Sequence, residues 1–97
     1  MGGVLTRRPM QQDDTLDQLL KDGSLILFRG DGEDMLVLNP LAALIWDAST
    51  GHDTVEAIVR GLQTHFPEQT SLEGDVLACL DALVGKGFLI WVEQADQ

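Results

Sequence analysis

His52, His65 and Cys79 are the side chains of this chain best suited to general-base, nucleophilic or metal-binding work. Their surroundings argue against all three uses. His52 sits beside a helix-cap signal and His65 near a helix end, where surface and dipole roles are ordinary. Cys79 has no second cysteine at metal spacing and no basic neighbour in sequence to favour a thiolate, so it reads as a small buried apolar residue. The acidic run Asp31 to Asp34 lacks the alternating ligand spacing of a calcium loop and reads as a solvated turn. No Ser-His-Asp set, paired-carboxylate motif, glycine-rich phosphate loop or metal spacing is present. The expectation is a protein with no catalytic residue, no metal and no cofactor.

What remains for function is backbone and apolar surface, so the elements that display them matter most. Residues 35–51 are the most informative stretch. Met35 to Leu38 form a short apolar strand, Asn39 is suited to capping the next turn, and Pro40 suits the first position of a helix that closes before Gly51. Upstream, Thr15 to Leu20 fits either a strand or a helical turn. Lys21-Asp22-Gly23 signals a hairpin, and Ser24 to Phe28 is an apolar run of strand length. Three short strands in a meander is the simplest reading, with Gly30 to Asp34 as its second turn.

Three helices follow. The first spans about Pro40 to Ser49. The second opens on an Asp53-x-x-Glu56 box and stops at Phe66 before Pro67, with Val55, Ile58, Val59, Leu62 and Phe66 inside an arc of ~100°. The third opens on a Thr70-x-x-Glu73 box and runs to about Lys86. Its apolar residues, among them Leu72, Val76, Leu77, Cys79, Leu80, Leu83 and Val84, sweep ~160°, more than one layer of neighbours needs. The excess predicts a second apolar surface beside the core, available to a ligand or to the last apolar run, Phe88 to Val92. Residues 1–14 are polar and aperiodic and read as a flexible arm. Residues 15–92 form the domain, and residues 93–97 should fray. Alternation puts Leu36 and Leu38 on the core side of their strand and turns Met35 and Val37 away.

At 97 residues the chain is one domain. Its net charge of −10 opposes phosphate backbones and anionic membranes and favours basic partners. One cysteine permits no internal disulfide, and the start resembles no signal peptide, so the cytoplasm is the expected compartment. No apolar run approaches the ~18 residues of a spanning helix.

The order Leu38-Asn39, Ala42, Ile45-Trp46, Gly51, Thr54-Val55-Glu56-Ala57-Ile58-Val59, Leu62, Phe66-Pro67, Asp75-Val76, Leu80, Leu83 and Gly87-Phe88-Leu89 resembles the PqqD-like family over about residues 15 to 90. Members are peptide-recognition domains of ribosomal peptide modification pathways. The resemblance implies an α+β, winged helix-turn-helix-like fold, with a three-stranded antiparallel sheet packed on three helices. It also implies a non-catalytic role: the leader of a precursor peptide is bound as an added strand and presented to a separate modifying enzyme, such as a radical SAM enzyme, protease or cyclase. The acidic balance and Trp46 do not single out the pyrroloquinoline quinone branch over lasso-peptide or radical-enzyme-associated ones.

On that implication the backbone of Asp34, Met35, Leu36, Val37 and Leu38 would pair with the leader. Leu36, Val76, Cys79, Leu80 and Leu83 would wall its apolar pocket, and Asp75 and Asp81 would meet its basic residues. Three rival readings fit the same residues. A winged-helix DNA-binding regulator needs cations on its recognition helix, where only Lys86 stands against Glu73, Asp75 and Asp81. An enzyme would need a closed site that a domain this small has little room to build. An adaptor for a protein partner would need no precursor peptide. An exposed edge strand also permits a homodimer by the same pairing.

Overall fold

The Leu38-Asn39-Pro40 step behaves as its residue types require. Asn39 Oδ1 accepts the Ala42 N–H at 2.8 Å, and Pro40 opens helix α1, Pro40–Ala48. The computed structural model describes residues 3–29 and 35–92. Strand β1 is Arg8–Gln11, β2 Thr15–Leu19, β3 Leu25–Arg29 and β4 Met35–Leu38. Helix α2 is Val55–His65, α3 Leu72–Gly85, and strand β5 Leu89–Val92 is the last element of the described residues. Strands β2, β3 and β4 form an antiparallel meander in that order, and the α+β architecture of three helices with a three-stranded sheet is the one expected. The turn between β2 and β3 carries Gly23 at φ +91°, and Asp22 Oδ1 accepts the Ser24 N–H at 2.9 Å. That is the local chemistry an Asp-Gly turn offers.

Both later helices start one residue beyond the sequence signals. Thr54, not Asp53, caps α2 by accepting the Ala57 N–H at 3.2 Å. Ser71, not Thr70, precedes α3, and its hydroxyl caps no backbone group but donates to Asp75. The stripe of α2 is as narrow as its periodicity implies: Val55, Ile58, Val59 and Leu62 are buried and Phe66 is half-buried. Burying each such side chain contributes about 1.5–3 kcal/mol relative to leaving it in water. They pack with Leu25, Leu27 and Leu38 of the sheet, with Ile45 and Trp46 of α1, and with the inner face of α3 in one core.

The expectation of a loose arm over residues 1–14 is corrected by β1. Arg8 to Gln11 pair antiparallel with β5 in a second, two-stranded sheet. The Gln12 N–H donates to Phe88 O at 2.9 Å, which marks Gln12 and Phe88 as a hydrogen-bonded pair. Alternation along an antiparallel ladder then makes Met10–Ile90 and Arg8–Val92 hydrogen-bonded pairs as well. Pro9 falls at a position whose backbone faces away from β5, so its missing N–H costs this ladder nothing.

On the opposite side, Pro9 O accepts from the Gly51 N–H, Arg7 O from the Val55 N–H, and Ser49 O from the Gln11 N–H. Gln11 Nε2 reaches Trp46 O at 2.8 Å. The segment is therefore laced between β5 and the α1–α2 connection. Polar side chains hid it, because backbone groups and one buried proline hold it in place. Residues 30–34 and 93–97, read as a turn and a frayed end, lie outside the described residues.

Candidate functional site: an open strand edge beside a cleft

Which backbone groups of β4 face outward follows from one hydrogen bond in the neighbouring hairpin. The Leu20 N–H donates to Ser24 O at 2.8 Å, so Leu20 and Ser24 are a hydrogen-bonded pair. Alternation assigns the same state to Gln18–Ile26 and Leu16–Phe28. Leu25 and Leu27 then turn their N–H and C=O groups toward β4, where their partners are Leu38 and Leu36. The remaining β4 groups, the N–H and C=O of Met35 and Val37, point to the far side. No described strand occupies that side, and β5 pairs with β1 instead.

Side chains follow the same alternation. Leu38 is 5% exposed and Leu36 half-buried against the core. Met35 and Val37 are 64% and 60% exposed, on the sheet face away from the helices. There they share rungs with the half-buried Phe28 and Ile26, and Leu16 extends the Phe28 rung. This face is mostly apolar, with Gln18 on the Ile26–Val37 rung, and Leu16, Met35 and Val37 on it are exposed.

The sheet has a second open margin at β2, and residue chemistry separates the two. Asp17 sits mid-strand on β2, paired with the core residue Leu27, and its Oδ2 accepts the Trp46 Nε1–H at 3.1 Å. Asp17 is itself exposed, but a charge on the helix side of an edge strand is a known device against strand addition. Strand β4 reads Met-Leu-Val-Leu and carries no charge. Of the two margins, β4 is the one open to pairing.

At the end of β4, between the start of α1 and the first half of α3, lies a cleft of ≈ 380 Å³. Its lining is Asn39, Leu41, Ala42, Ile45, Gln69, Asp75, Ala78 and Cys79. Asp75 is half-buried, and its Oδ2 accepts from Gln69 Nε2 at 2.9 Å and from Ser71 Oγ at 3.1 Å. The carboxylate is thus held in place before any ligand arrives. Burial pushes the Cys79 thiol from 9.0 up to about 11, so it stays protonated at neutral pH and serves as apolar wall.

Two consequences of that thiol are measurable. Alkylation by iodoacetamide near pH 8 should run about a hundredfold slower in the folded chain than in urea, as the lost thiolate fraction dictates. A rate equal to that of the unfolded chain would place the thiol in water. Because the folded state keeps the proton that the unfolded chain loses first, stability should be constant below pH 9 and decline as pH rises toward about 11.

The structure brings together only part of the set expected from sequence. Met35 and Val37 supply the outward backbone, and Asp75 and Cys79 line the cleft. Val76, Leu80 and Leu83 are 0–1% exposed among core neighbours, and none of them lines this cleft. Asp81 lies elsewhere, with Leu77, Leu80 and Trp91 around a separate cavity of ≈ 250 Å³. Asp34 lies outside the described residues.

The wide apolar arc of α3 therefore divides three ways. Its centre is core, its Leu77 flank is covered by β5 and Trp91, and its Cys79 flank faces α1. The cleft residues that sequence reading missed are Asn39, Leu41, Ala42, Ile45, Gln69 and Ala78. Ala42 and Ala78 were the available signal, since two small residues on facing helices leave a depression where larger ones would interlock.

Comparison with known proteins adds a family and a fold. The model of the family described as coenzyme PQQ synthesis protein D (PqqD) matches residues 24–89. The PqqA binding protein of Stutzerimonas stutzeri (strain A1501) is 36% identical over 61 residues, which span 63% of this chain and 63% of that protein. Among solved structures, TbiB1 in complex with the TbiA(beta) leader peptide superposes with a TM-score of 0.70 at 21% identity, covering 90% of this chain and 99% of that one. The heterocyclase TruD superposes with a TM-score of 0.65 at 21% identity, covering 92% of this chain but 12% of that one.

Proposed function

The chain belongs to the PqqD family, and from that premise we propose that it is a non-catalytic recognition element for the leader region of a ribosomally made precursor peptide. The leader adds to β4 as a fourth strand, and a separate modifying enzyme acts on the peptide so held. The observation that carries this reading is the outward-facing Met35 and Val37 backbone on an uncharged strand beside the α1–α3 cleft. The relative named for binding PqqA and the leader-bound relative of the same fold support it.

Strand addition divides the work between two kinds of group. The N–H groups of Met35 and Val37 donate and their C=O groups accept, bonds that any extended peptide can complete, each contributing about 0.5–1.5 kcal/mol net. Alternate side chains of the leader then fall into or away from the cleft, and those that fall in fix the register. Chemistry on the peptide is left to the enzyme partner.

Titration with synthetic PqqA peptide and with TbiA(beta) leader tests the mode of binding. Saturable amide shifts should appear at residues 35–38 and at Asp75, Ala78 and Cys79, and Cys79 alkylation should slow further as the cleft fills. Saturable shifts confined to β2 or to the outer side of α2 would overturn the assignment of the edge.

A further inference from the structure

We infer that the α1–α3 cleft selects a basic side chain of the bound peptide, with Asp75 as the residue that reads its charge. This rests on strand addition at β4 and goes beyond it by naming what the cleft accepts.

The cleft has the shape and chemistry of a lysine or arginine. Leu41, Ala42, Ala78 and Cys79 offer an apolar surface for a long methylene stem, and the protonated Cys79 adds no charge of its own. Asp75 stands in the same cleft, and none of the lining residues is Lys or Arg. A stem on hydrocarbon with its charge at a polar rim is the arrangement these side chains favour.

Asp75 is also preorganised. Gln69 and Ser71 both donate to Oδ2, so the carboxylate needs no rearrangement to meet a cation. The start of a helix is an electropositive place, which by itself disfavours an approaching ammonium. Here Glu73 and Asp75 both lie in the first turn of α3 and supply two full negative charges against the roughly half charge of the helix end. The local balance is negative, as is the chain as a whole at −10.

The cleft also lies at the end of β4. Asn39 lines the cleft and directly follows Leu38, so a strand lying along β4 passes the cleft mouth at its end. On this proposal a leader side chain turned toward the helices there enters the cleft that holds Asp75. The opposite acidic candidate on α3, Asp81, sits by Trp91 and Leu77 and takes no part.

The test uses random twelve-residue peptides displayed on their own messenger RNA and selected on the 97-residue chain, on Asp75→Asn and on Asp81→Asn. The wild type and Asp81→Asn should enrich extended peptides with Lys or Arg at one fixed position. Asp75→Asn, whose amide oxygen can still accept from Gln69 and Ser71, should keep the apolar positions and lose the basic one. For an enriched peptide, replacing that Lys by norleucine should cost about fivefold to tenfold in Kd on the wild type and nothing on Asp75→Asn.

On the wild-type protein alone, the preference for Lys over norleucine should shrink as salt is raised. A basic preference that survives Asp75→Asn, or enrichment with no fixed basic position, would overturn the inference and leave strand addition standing. Enriched peptides indifferent to Val37→Pro would instead overturn strand addition at β4 and this inference with it.

Discussion

Replacing Val37 by proline should weaken leader binding by about a hundredfold while shifting the melting temperature by only a few degrees. The two halves of that result have one cause. The Val37 N–H faces the open margin, because Leu36 and Leu38 take the ladder positions opposite Leu27 and Leu25. Proline at Val37 therefore deletes no bond to β3, and edge positions of this kind tolerate it.

For an incoming strand the same change removes a donor and puts ring carbons where a carbonyl should approach. An unmet carbonyl at a buried interface costs about 1–3 kcal/mol, and the displaced strand loses neighbouring bonds as well. Calorimetric titration with the leader, alongside a thermal melt of the variant, measures both. The control is Leu19→Pro, which alters an outward N–H on the other margin at β2. Full binding by Val37→Pro with loss in Leu19→Pro would transfer the site to β2.

Deleting residues 1–11 is the second large effect, on stability. Shortening the chain to residue 12 removes β1 and leaves the β5 ladder without a partner. The Gly51 and Val55 N–H groups lose Pro9 O and Arg7 O, and the carbonyls of Ser49 and Trp46 lose Gln11. At about 1 kcal/mol for each group that water can reach only in part, the sum is about 4 kcal/mol. That is a large share of the stability of a domain this size, and it corresponds to a fall of about 15–25 °C in Tm. Leu89, 1% exposed, and the half-buried Trp91, stacked under Arg7 at 4.7 Å, would also be uncovered. Thermal melts of residues 12–97 and of the full chain decide it, and coincident midpoints would return residues 1–11 to the status of an arm.

Much of the architecture was legible because it is written in local chemistry. Asn39-Pro40 carries a cap and a helix start in two residues, and Asp22-Gly23 carries a turn. The α2 stripe repeats at the helical period, and the β4 alternation that turns Met35 and Val37 outward is likewise a property of neighbours in sequence. The rest depends on contacts between distant segments. β1 is a strand because β5 and Gly51 are there to receive it, and nothing in Arg-Pro-Met-Gln announces that.

Val76, Leu80 and Leu83 could not be sorted from Cys79 by type, since all are apolar and share the α3 face. Only the placement of α1 and β5 on either flank decides which are covered. Asp75 and Asp81 looked equivalent for the same reason. They point to different neighbours, Asp75 into the cleft against α1 and Asp81 to the cavity beside Trp91.

The β1–β5 ribbon sets Arg8 opposite Val92 on one rung, so its two outer ends lie side by side, with the short Val4–Thr6 turn before it packed on α2. A unit with such neighbouring ends asks almost no span of whatever polypeptide it is spliced into, and it leaves the β4 margin untouched by the splice. Such geometry suits a small part equally to free existence and to insertion within a much larger host, and the superposition on only 12% of TruD is an instance of the same fold inside a longer chain.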